Sequence, residues 1–430
     1  MQEAHACLGR LIDRILLRRS APRWLLLEGQ SYPRNLPEEL TLNLVFQYLD
    51  PVSLAKFSCA NSTTSQFVRT EFEDRKTHIE VPESIRRNPY QIRDFLLRYL
   101  KKERNGKVGN NLNVTCIDLS EAHVSARLIA FIVEHFPKIQ IFDLSNTNVT
   151  NFMVDLLRPD QQSGEGGLPD LKELALGNCR LINNDVLAFI PLGLTSLDLR
   201  NTRVTSRGII DRKEILSKLT GLNLSENQYI DDLVLQSIPD GVVYLSIAHT
   251  LVTQQGLIEN LGRLQSLEIL IATGVRELTD GAIRDISPKI RVLLAGGTGL
   301  TDDGIRSLRD AGKLDHLVVL NLANNANITD RVVPLIPSHI EYLGLARTKI
   351  TDTAVGEMAR FSRLQKLVLS FNRNIQGARV HELSNSLQEI SIEDTSISKR
   401  TVQKLKKGRR DLTVVGEPSF FSLRRSLPWR

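Results

Sequence analysis

Eight histidines and four cysteines are the residues of this chain that could support nucleophilic or metal-dependent chemistry. The histidines are scattered, and none stands in a metal-ligating pair or in a local Ser–His–Asp or Cys–His arrangement. The cysteines are Cys7, Cys59, Cys116 and Cys179, which follow no metal-binding spacing and predict no disulfide framework. The sequence therefore predicts a protein that is not an enzyme, holds no metal or other cofactor, and occupies a reducing compartment.

Glycine-rich and basic segments do not form a recognisable phosphate or nucleic-acid site. No GxxxxGK[ST] loop is present, and the glycines at 296, 297 and 299 fall where a strand passes into a turn. The net charge is +6, but the cations concentrate between Lys399 and Arg410 without interleaved aromatic residues. We expect this run to be a solvated face and expect no nucleic-acid partner; nuclear import or an acidic partner is the alternative.

A leucine-rich phrase recurs every 23 to 27 residues from Leu171 onward. It reads Leu-x-x-Leu-x-Leu-x-x-(Asn/Cys/Thr), as at Leu219, Leu222, Leu224 and Asn227. The same frame fits about twelve units, which start at Val114, Ile139, Leu171, Leu194, Leu219, Val242, Leu267, Ile290, Leu317, Ile340, Leu364 and Leu387. Because one such unit cannot bury its apolar face alone, the units must stack into a solenoid.

Each unit combines a strand with a helix. Apolar residues alternate with period two, as at Leu197 and Leu199, which is typical of a strand with one face inward. Thr-Asp pairs such as Thr301-Asp302 and Thr351-Asp352 then provide helix N-caps, as does Thr279-Asp280. Units with Thr at the turn, such as Thr298, alternate with units that hold Asn, Cys or Val there, such as Asn325 and Val275, so the true period is a pair.

These units resemble the ribonuclease-inhibitor-like or cysteine-containing class of leucine-rich repeats over about residues 113–413. The resemblance implies an α/β solenoid with a concave parallel β-sheet and convex helices. Residues in outward strand positions would then line the concave face. Early units place acidic or basic residues there: Asp118, Asp143, Glu173, Asp198 and Arg200. Later units place apolar residues there, and we predict that these bind a protein substrate as an exposed patch: Tyr244, Ile269, Ile271, Val292, Leu294, Val319, Tyr342 and Val368.

A different, helical module precedes the repeats at residues 35–78. Leu42, Val45, Phe46 and Leu49 lie at i, i+3, i+4 and i+7, which gives one apolar stripe on a helix that Asp50-Pro51 ends. The order Leu36-Pro37, then Phe46-x-Tyr-Leu-Asp-Pro51, then Leu54 resembles an F-box upstream of leucine-rich repeats. The F-box leucine-rich-repeat family implies a Skp-type adaptor bound through Leu36, Pro37, Leu42, Val45, Phe46, Leu49, Pro51 and Leu54. The alternatives are a module that only caps the solenoid, and another helical docking box, such as the elongin-binding type.

Three further segments complete the predicted organisation. Residues 1–34 are predicted to form an amphipathic arm with basic residues. This arm could pack on the rest of the protein, direct the chain to an organelle, or bind a membrane surface. Residues 79–112 form a helical linker or cap, with Ile92, Phe95, Leu96 and Tyr99 on one buried face. The tail, residues 414–430, carries three aromatic residues after position 418, and we expect it to dock on the concave patch. The alternatives are a free peptide ligand for another protein and a segment that covers the end of the last repeat.

The resemblance as a whole implies the substrate-recognition subunit of a cullin-type ubiquitin ligase. The F-box would hold the adaptor of the cullin complex, the repeats would hold the substrate, and the chain would be a monomer within this larger complex. A scaffold without a ligase link and a membrane- or organelle-associated repeat protein remain the alternatives. No apolar run is long enough for a transmembrane helix, so we expect no membrane partner and a cytoplasmic or nuclear location.

Overall fold

The computed structural model describes residues 78–100, 109–159 apart from 112, 166–409 apart from 408, and 412–416. The chain divides after Arg203 into two compact units. The described strands of the first unit are β1 His78–Glu80, β2 Cys116–Asp118, β3 Ile141–Asp143, β4 Glu173–Ala175 and β5 Ser196–Asp198. Those of the second unit are β6 Gly221–Asn223, β7 Tyr244–Ser246, β8 Ile269–Ile271, β9 Val292–Leu294, β10 Val319–Asn321, β11 Tyr342–Gly344, β12 Lys366–Val368, β13 Glu389–Ser391 and β14 Thr413–Val415.

Within each unit the strands follow one another in chain order, and neighbouring strands pair in parallel. Strands β2 to β13 each begin two residues after the start of a predicted repeat. The middle residue of each of these strands is buried, as for Leu293 and Leu320. The predicted repeat frame is therefore confirmed in all twelve units.

The ladder extends one strand beyond the predicted repeats at each end. Strand β1 lies at the start of the segment that we predicted to be a helical linker, and it pairs with β2. Helix Pro89–Leu96 follows as predicted, with the Asn88 side chain capping it and with Ile92 and Leu96 buried. Phe95 and Tyr99 are only half-buried; their rings lie edge to face, with centroids 5.5 Å apart. At the other end β14 adds a further pairing to β13.

The helices alternate between longer and shorter forms along the chain. Described α-helices span Pro89–Leu96, Ala126–His135, Asn151–Asp155, Ser206–Ile210, Asp232–Leu235, Gln254–Leu261, Asp280–Ile283, Asp302–Asp310, Asp352–Glu357 and Lys399–Lys406. Described 3₁₀ helices span Glu83–Ile85, Leu97–Tyr99, Asn184–Ala188, Lys213–Leu216, Asp330–Leu335, Met358–Arg360 and Val380–Glu382. From Leu171 onward, the helical segment of each Thr unit, counted with any 3₁₀ helix that follows it, is longer than the helices of the units on either side.

Hydrogen bonds between turns explain part of the two-repeat period. The Asn325 amide nitrogen donates to the carbonyl of Ala295 at 2.8 Å and to that of Leu322 at 3.0 Å, in neighbouring repeats. Its Oδ1 accepts from the backbone N–H of Thr298 at 2.8 Å. Asn372 and Thr348 repeat these bonds. Each such Asn therefore satisfies buried backbone groups of the Thr unit before it, so the two unit types depend on each other.

Cationic side chains of one repeat donate hydrogen bonds to carbonyl groups at the ends of the short helices in neighbouring repeats. A short helix leaves its last carbonyl groups without intrahelical partners. Arg263 of one long-helix unit donates to the carbonyls of Leu235 and Ile238 in the preceding unit, at 2.9 and 2.7 Å. Equivalent bonds join further pairs: Arg158 to Ala188, Lys313 to Arg284, Arg309 to Leu335, Arg360 to Val333 and Arg409 to Leu383. In each case a cation caps a short helix of a neighbouring repeat; Arg158 belongs to the second predicted repeat, and the other cations belong to long-helix repeats.

The predicted Thr-Asp helix starts also link neighbouring repeats. Thr301 and Thr351 cap their own helices as predicted, accepting from the N–H groups of Asp303 and Thr353. The aspartates instead accept from the Thr of the next repeat: the Asp280 carboxylate binds both the N–H and the hydroxyl of Thr301, at 2.9 and 2.7 Å. Further links of this kind are Asp232 to Thr253, Asp302 to Thr329 and Asp330 to Thr351.

One of these Asp–Thr links is missing, and restoring it should stabilise the protein. Helix Gln254–Leu261 begins with glutamine instead of aspartate, and the buried Thr279 hydroxyl of the next repeat has no hydrogen-bond partner among the described residues. We expect Gln254→Asp to raise the free energy of unfolding by about 1 kcal/mol, because it supplies a charged acceptor. Urea denaturation measures this gain. The same substitution in a Thr279→Val background should give no gain. An equal gain there would show that the Thr279 hydroxyl is not the partner of the new carboxylate.

Candidate protein-binding face of the repeats

The predicted substrate-binding residues come together on one face of the sheet of the second unit. Strand pairing places Tyr244, Ile269, Val292, Val319 and Tyr342 opposite one another on β7 to β11. Ile271, Leu294 and Val368 belong to a second, parallel column of the same face. The middle strand residues point into the core, so these two columns form the opposite face. This is the face predicted to be concave, and we call it the outer face. The sequence pattern therefore assigned these residues to the same face of the strands, as the structure shows.

The expectation of an exposed apolar patch is wrong for most of these residues. Tyr244, Ile269, Val292, Leu294, Val319 and Tyr342 are no more than 5% exposed, whereas Ile271 and Val368 are half-buried. These side chains lie in register on neighbouring parallel strands, about 4.8 Å apart. A partner that touches this face would reach Ile271 and Val368 first. The substrate-binding role of all eight residues stays a prediction.

A charged pair continues the first column beyond Tyr342. Lys366 is 4% exposed, and its Nζ lies 2.7 Å from Glu389 Oε1 on the adjacent strand. A buried ammonium group needs such a partner, because desolvation of an isolated charge costs several kcal/mol. The pair therefore ends the apolar column, and the sequence pattern alone did not single out either residue.

Acidic residues line the corresponding face of the first unit. Glu80, Asp118 and Asp143 stand opposite one another on β1, β2 and β3, and Asp198 lies on β5. The aspartates predicted to point outward are buried, with Asp118, Asp143 and Asp198 at 2 to 4% exposure. Asp118 and Asp143 accept the backbone N–H groups of Ser120 and Ser145, at 2.7 and 2.8 Å. These carboxylates thus close the turns that follow the strands.

Burial and repulsion from the Asp118 charge raise the pKa of two of these carboxylates, Asp143 and Glu80. Burial, with a further contribution from the Asp118 charge, raises the pKa of Asp143 to about 7. The same two causes raise the pKa of Glu80, and Arg86 partly opposes them. In the unfolded chain Asp143 would ionise near its ordinary pKa of 3.8. Between about pH 4 and 7 the folded state therefore binds more protons at Asp143 than the unfolded state does, so this residue makes stability fall as the pH rises.

Asp143→Asn should remove this pH dependence and stabilise the protein at pH 8. Asparagine keeps the acceptor oxygen, as Asn223 and Asn321 do at the same position in other repeats. We expect a gain of about 1 kcal/mol or more at pH 8 and little change at pH 4. Thermal unfolding across this pH range measures the effect, with the exposed Asp185→Asn as control. An unchanged pH slope in Asp143→Asn would rule out Asp143 as its source.

A shallow groove of mixed charge lies at the amino ends of the strands of the second unit. Its volume is about 470 Å³, and its lining residues are Glu268, Lys289, Arg291, Asp315, His316, Val318, His339, Glu341 and Arg363. Arg291 lies 3.9 Å from Glu268, and Gln365 donates to Glu341 at 3.1 Å. The groove thus holds one ion pair and one carboxylate bonded to a side-chain amide, which makes its surface polar.

The described part of the chain contains no group of three or more His, Cys, Asp or Glu residues arranged to hold a metal ion. Burial raises the pKa of the Cys179 thiol to about 11, which keeps it protonated and unreactive. Its sulfur instead lies 3.1 Å from the carbonyl of Leu144. Over these same residues, no helix has the length and apolar character to cross a membrane.

Several predicted sites lie outside the described residues. These are the adaptor-binding residues Leu36 to Leu54, the amphipathic arm of residues 1–34, and the aromatic tail after position 418. Their roles stay predictions from the sequence.

The architecture has counterparts among solved structures. The chain resembles the structure of the yeast Rad7 and Elc1 complex at 16% identity, over 85% of this chain and 95% of that one, with a TM-score of 0.54. It also matches an internalin from Listeria monocytogenes at 17% identity, over 73% of this chain and 85% of that one, with a TM-score of 0.45. No protein-family model matches the chain, and no curated protein matches it in sequence. The parallel strands, the helices and the fold shared with the Rad7 structure define a leucine-rich-repeat solenoid.

Proposed function

We propose that this chain is the non-catalytic substrate-recognition subunit of a cullin-type ubiquitin ligase. The observation that carries the proposal is the F-box-like order from Leu36-Pro37 to Leu54, directly upstream of the confirmed repeats. Residues 36–54 would bind a Skp-type adaptor, and the repeats would bind a substrate protein. The chain would then raise the effective concentration of the substrate near the ubiquitin-carrying enzyme. Such a complex would form in the cytoplasm or nucleus.

Two features of the fold support a binding role for the repeats. The outer face of the second unit presents aligned columns of side chains on paired strands, and its apolar residues Ile271 and Val368 remain partly exposed there. The Rad7 structure, which shares this fold, contains a second protein, Elc1. The substrate would contact Ile271 and Val368 first, and it would reach the covered residues of the first column only by displacing their neighbours.

A repeat scaffold without a ligase link is the second candidate. One extra residue separates Leu36-Pro37 from the Val45-Phe46 core, and the Trp that usually ends an F-box is missing after Ala60. The absence of any matching family model agrees with these departures. In this case residues 35–78 would only cap the solenoid, which every repeat protein requires at its ends.

Mixing the purified full-length chain with a purified Skp-type adaptor tests the proposal. We expect a 1:1 complex in size-exclusion chromatography with light scattering. A parallel mixture with Elc1, the partner in the Rad7 structure, tests the elongin-binding alternative. Binding to Elc1 alone would replace the F-box assignment, and binding to neither protein would favour the plain scaffold.

A further inference from the structure

Phe371 holds a backbone conformation that suits few side chains. Ten non-glycine residues of the described chain have φ between 48° and 63°, each in the turn that follows a strand. Four of them are asparagines, which tolerate this left-handed region well: Asn146, Asn178, Asn201 and Asn324. Phe371, at 63°, is the one apolar residue among the ten. A bulky side chain in this region costs free energy, and such strain persists mainly where the residue serves a function.

The ring of Phe371 supports an arginine from the preceding repeat. The Arg347 guanidinium carbon lies 4.3 Å from the ring centroid, a cation–π contact. Arg347 and Phe371 occupy the same turn position in successive repeats, where Arg347 N–H donates to Ser370 O and Phe371 N–H donates to Glu393 O. Stacking on the ring orients the guanidinium plane and reduces the rotamer freedom that Arg347 would lose on binding a partner.

The N–H donors of Arg347 are available for a ligand. Arg347 is exposed, and its guanidinium donates no hydrogen bond and forms no ion pair to any residue in the described part of the chain. The neighbouring Asp394 carboxylate is already bound by Arg373, with contacts of 3.1 and 3.2 Å. Exposed Lys349 adds a second cation two residues after Arg347, and no ion pair joins either side chain to a carboxylate among the described residues.

We propose that Arg347, stacked on Phe371, anchors an acidic side chain of a protein partner. The group it takes is a planar or tetrahedral oxyanion, either a carboxylate or a phosphate on an extended segment. Arginine presents paired N–H donors that match both groups. Half-buried Val368 is the last residue of β12, and Phe371 lies three residues later in the turn that follows, so one segment can bring the anion to Arg347 and an apolar side chain to the outer face. This inference rests on the proposed substrate-binding role of the repeats and names the chemistry of the bound segment.

Three degenerate peptide libraries test the proposal on the full-length chain. Their central residue is phosphoserine, glutamate or serine, and their flanking positions are random. We expect the phosphoserine library, the glutamate library or both to bind more tightly than the serine library. The two acidic libraries distinguish a phosphorylated partner from one that is merely acidic. Arg347→Gln should weaken the acidic binding about 10- to 100-fold, because charge-assisted hydrogen bonds are lost.

Two further variants separate recognition from folding. Phe371→Asn should unfold at an equal or higher temperature, since asparagine suits the left-handed backbone, and yet it should bind the acidic libraries more weakly. Arg331→Gln removes an exposed charge in the 3₁₀ helix Asp330–Leu335 of the same unit and should leave binding unchanged. Equal binding of all three libraries to the wild-type chain would overturn the proposal, as would an acidic preference that survives in Arg347→Gln. Adaptor binding would be unaffected by either result, so the ligase proposal is tested separately.

Discussion

Leu320→Asp is expected to unfold the repeats around β10. Leu320 is fully buried at the middle of β10, and strand pairing places Leu293 and Leu343 beside it. Truncation of a buried leucine alone costs about 2–5 kcal/mol, and the aspartate adds the cost of an unpaired buried charge. The sum approaches the whole stability of an ordinary domain, about 5–15 kcal/mol. Circular dichroism should show a much lower Tm or the loss of a cooperative transition at neutral pH.

Matched aspartate substitutions on the outer face give the control. Ile271→Asp changes a half-buried residue of the outer face and should lower the Tm far less than Leu320→Asp does. Leu294→Asp should have an intermediate effect, because Leu294 belongs to the outer face but is 5% exposed. Equal destabilisation by Ile271→Asp and Leu320→Asp would mean that the two faces of the strands are assigned wrongly.

The double substitution Phe46→Ala and Leu49→Ala should abolish most binding to a Skp-type adaptor. Both residues belong to the predicted apolar stripe with Leu42 and Val45. Truncation of an interface anchor often costs about 2 kcal/mol, so two anchors together should weaken the affinity by about 10³-fold. Calorimetric titration of the full-length variant with the purified adaptor measures this loss.

Gln47→Ala provides the comparison for this experiment. Gln47 lies next to Phe46 in the sequence but about 100° around the predicted helix, away from the stripe. Its substitution should leave the affinity nearly unchanged. If the wild-type chain binds the adaptor and the double variant binds equally well, the stripe is not the binding surface. The thermal unfolding of the repeats should be the same in all three proteins.

The repeat frame could be predicted because its signal is local. Leucines that alternate within a few residues define a strand, and all twelve predicted units contain one. Strand β1 was missed because Ile79 is its one buried apolar residue, between His78 and Glu80. The cause of the two-repeat period could not be predicted, because the groups that carry it lie far apart in the chain. Arg263, for example, caps Leu235, which is 28 residues away.

The candidate binding face was predictable in position but not in exposure. The alternation of side chains assigns Val292 and Val319 to the outer face, but their burial depends on neighbours that only the strand register brings together. The sequence pattern did not predict the ion pair of Lys366 with Glu389, because the two residues lie in successive repeats and meet only when their strands pair. Phe371 carried a usable signal: aligned repeats place asparagine, glycine or other polar residues at its turn position, and a phenylalanine there is conspicuous.

Hydrogen exchange on the full-length chain, with and without the Skp-type adaptor, tests the central claim most directly. The ligase account predicts slower exchange on adaptor binding in residues 36–54, with little change in the strands that carry Leu293, Leu320 and Leu343. This pattern would show that the N-terminal module holds the adaptor and leaves the repeats available for a substrate. Protection confined to the repeat strands, or no protection anywhere at saturating adaptor, would contradict the assignment of this chain as an F-box substrate receptor.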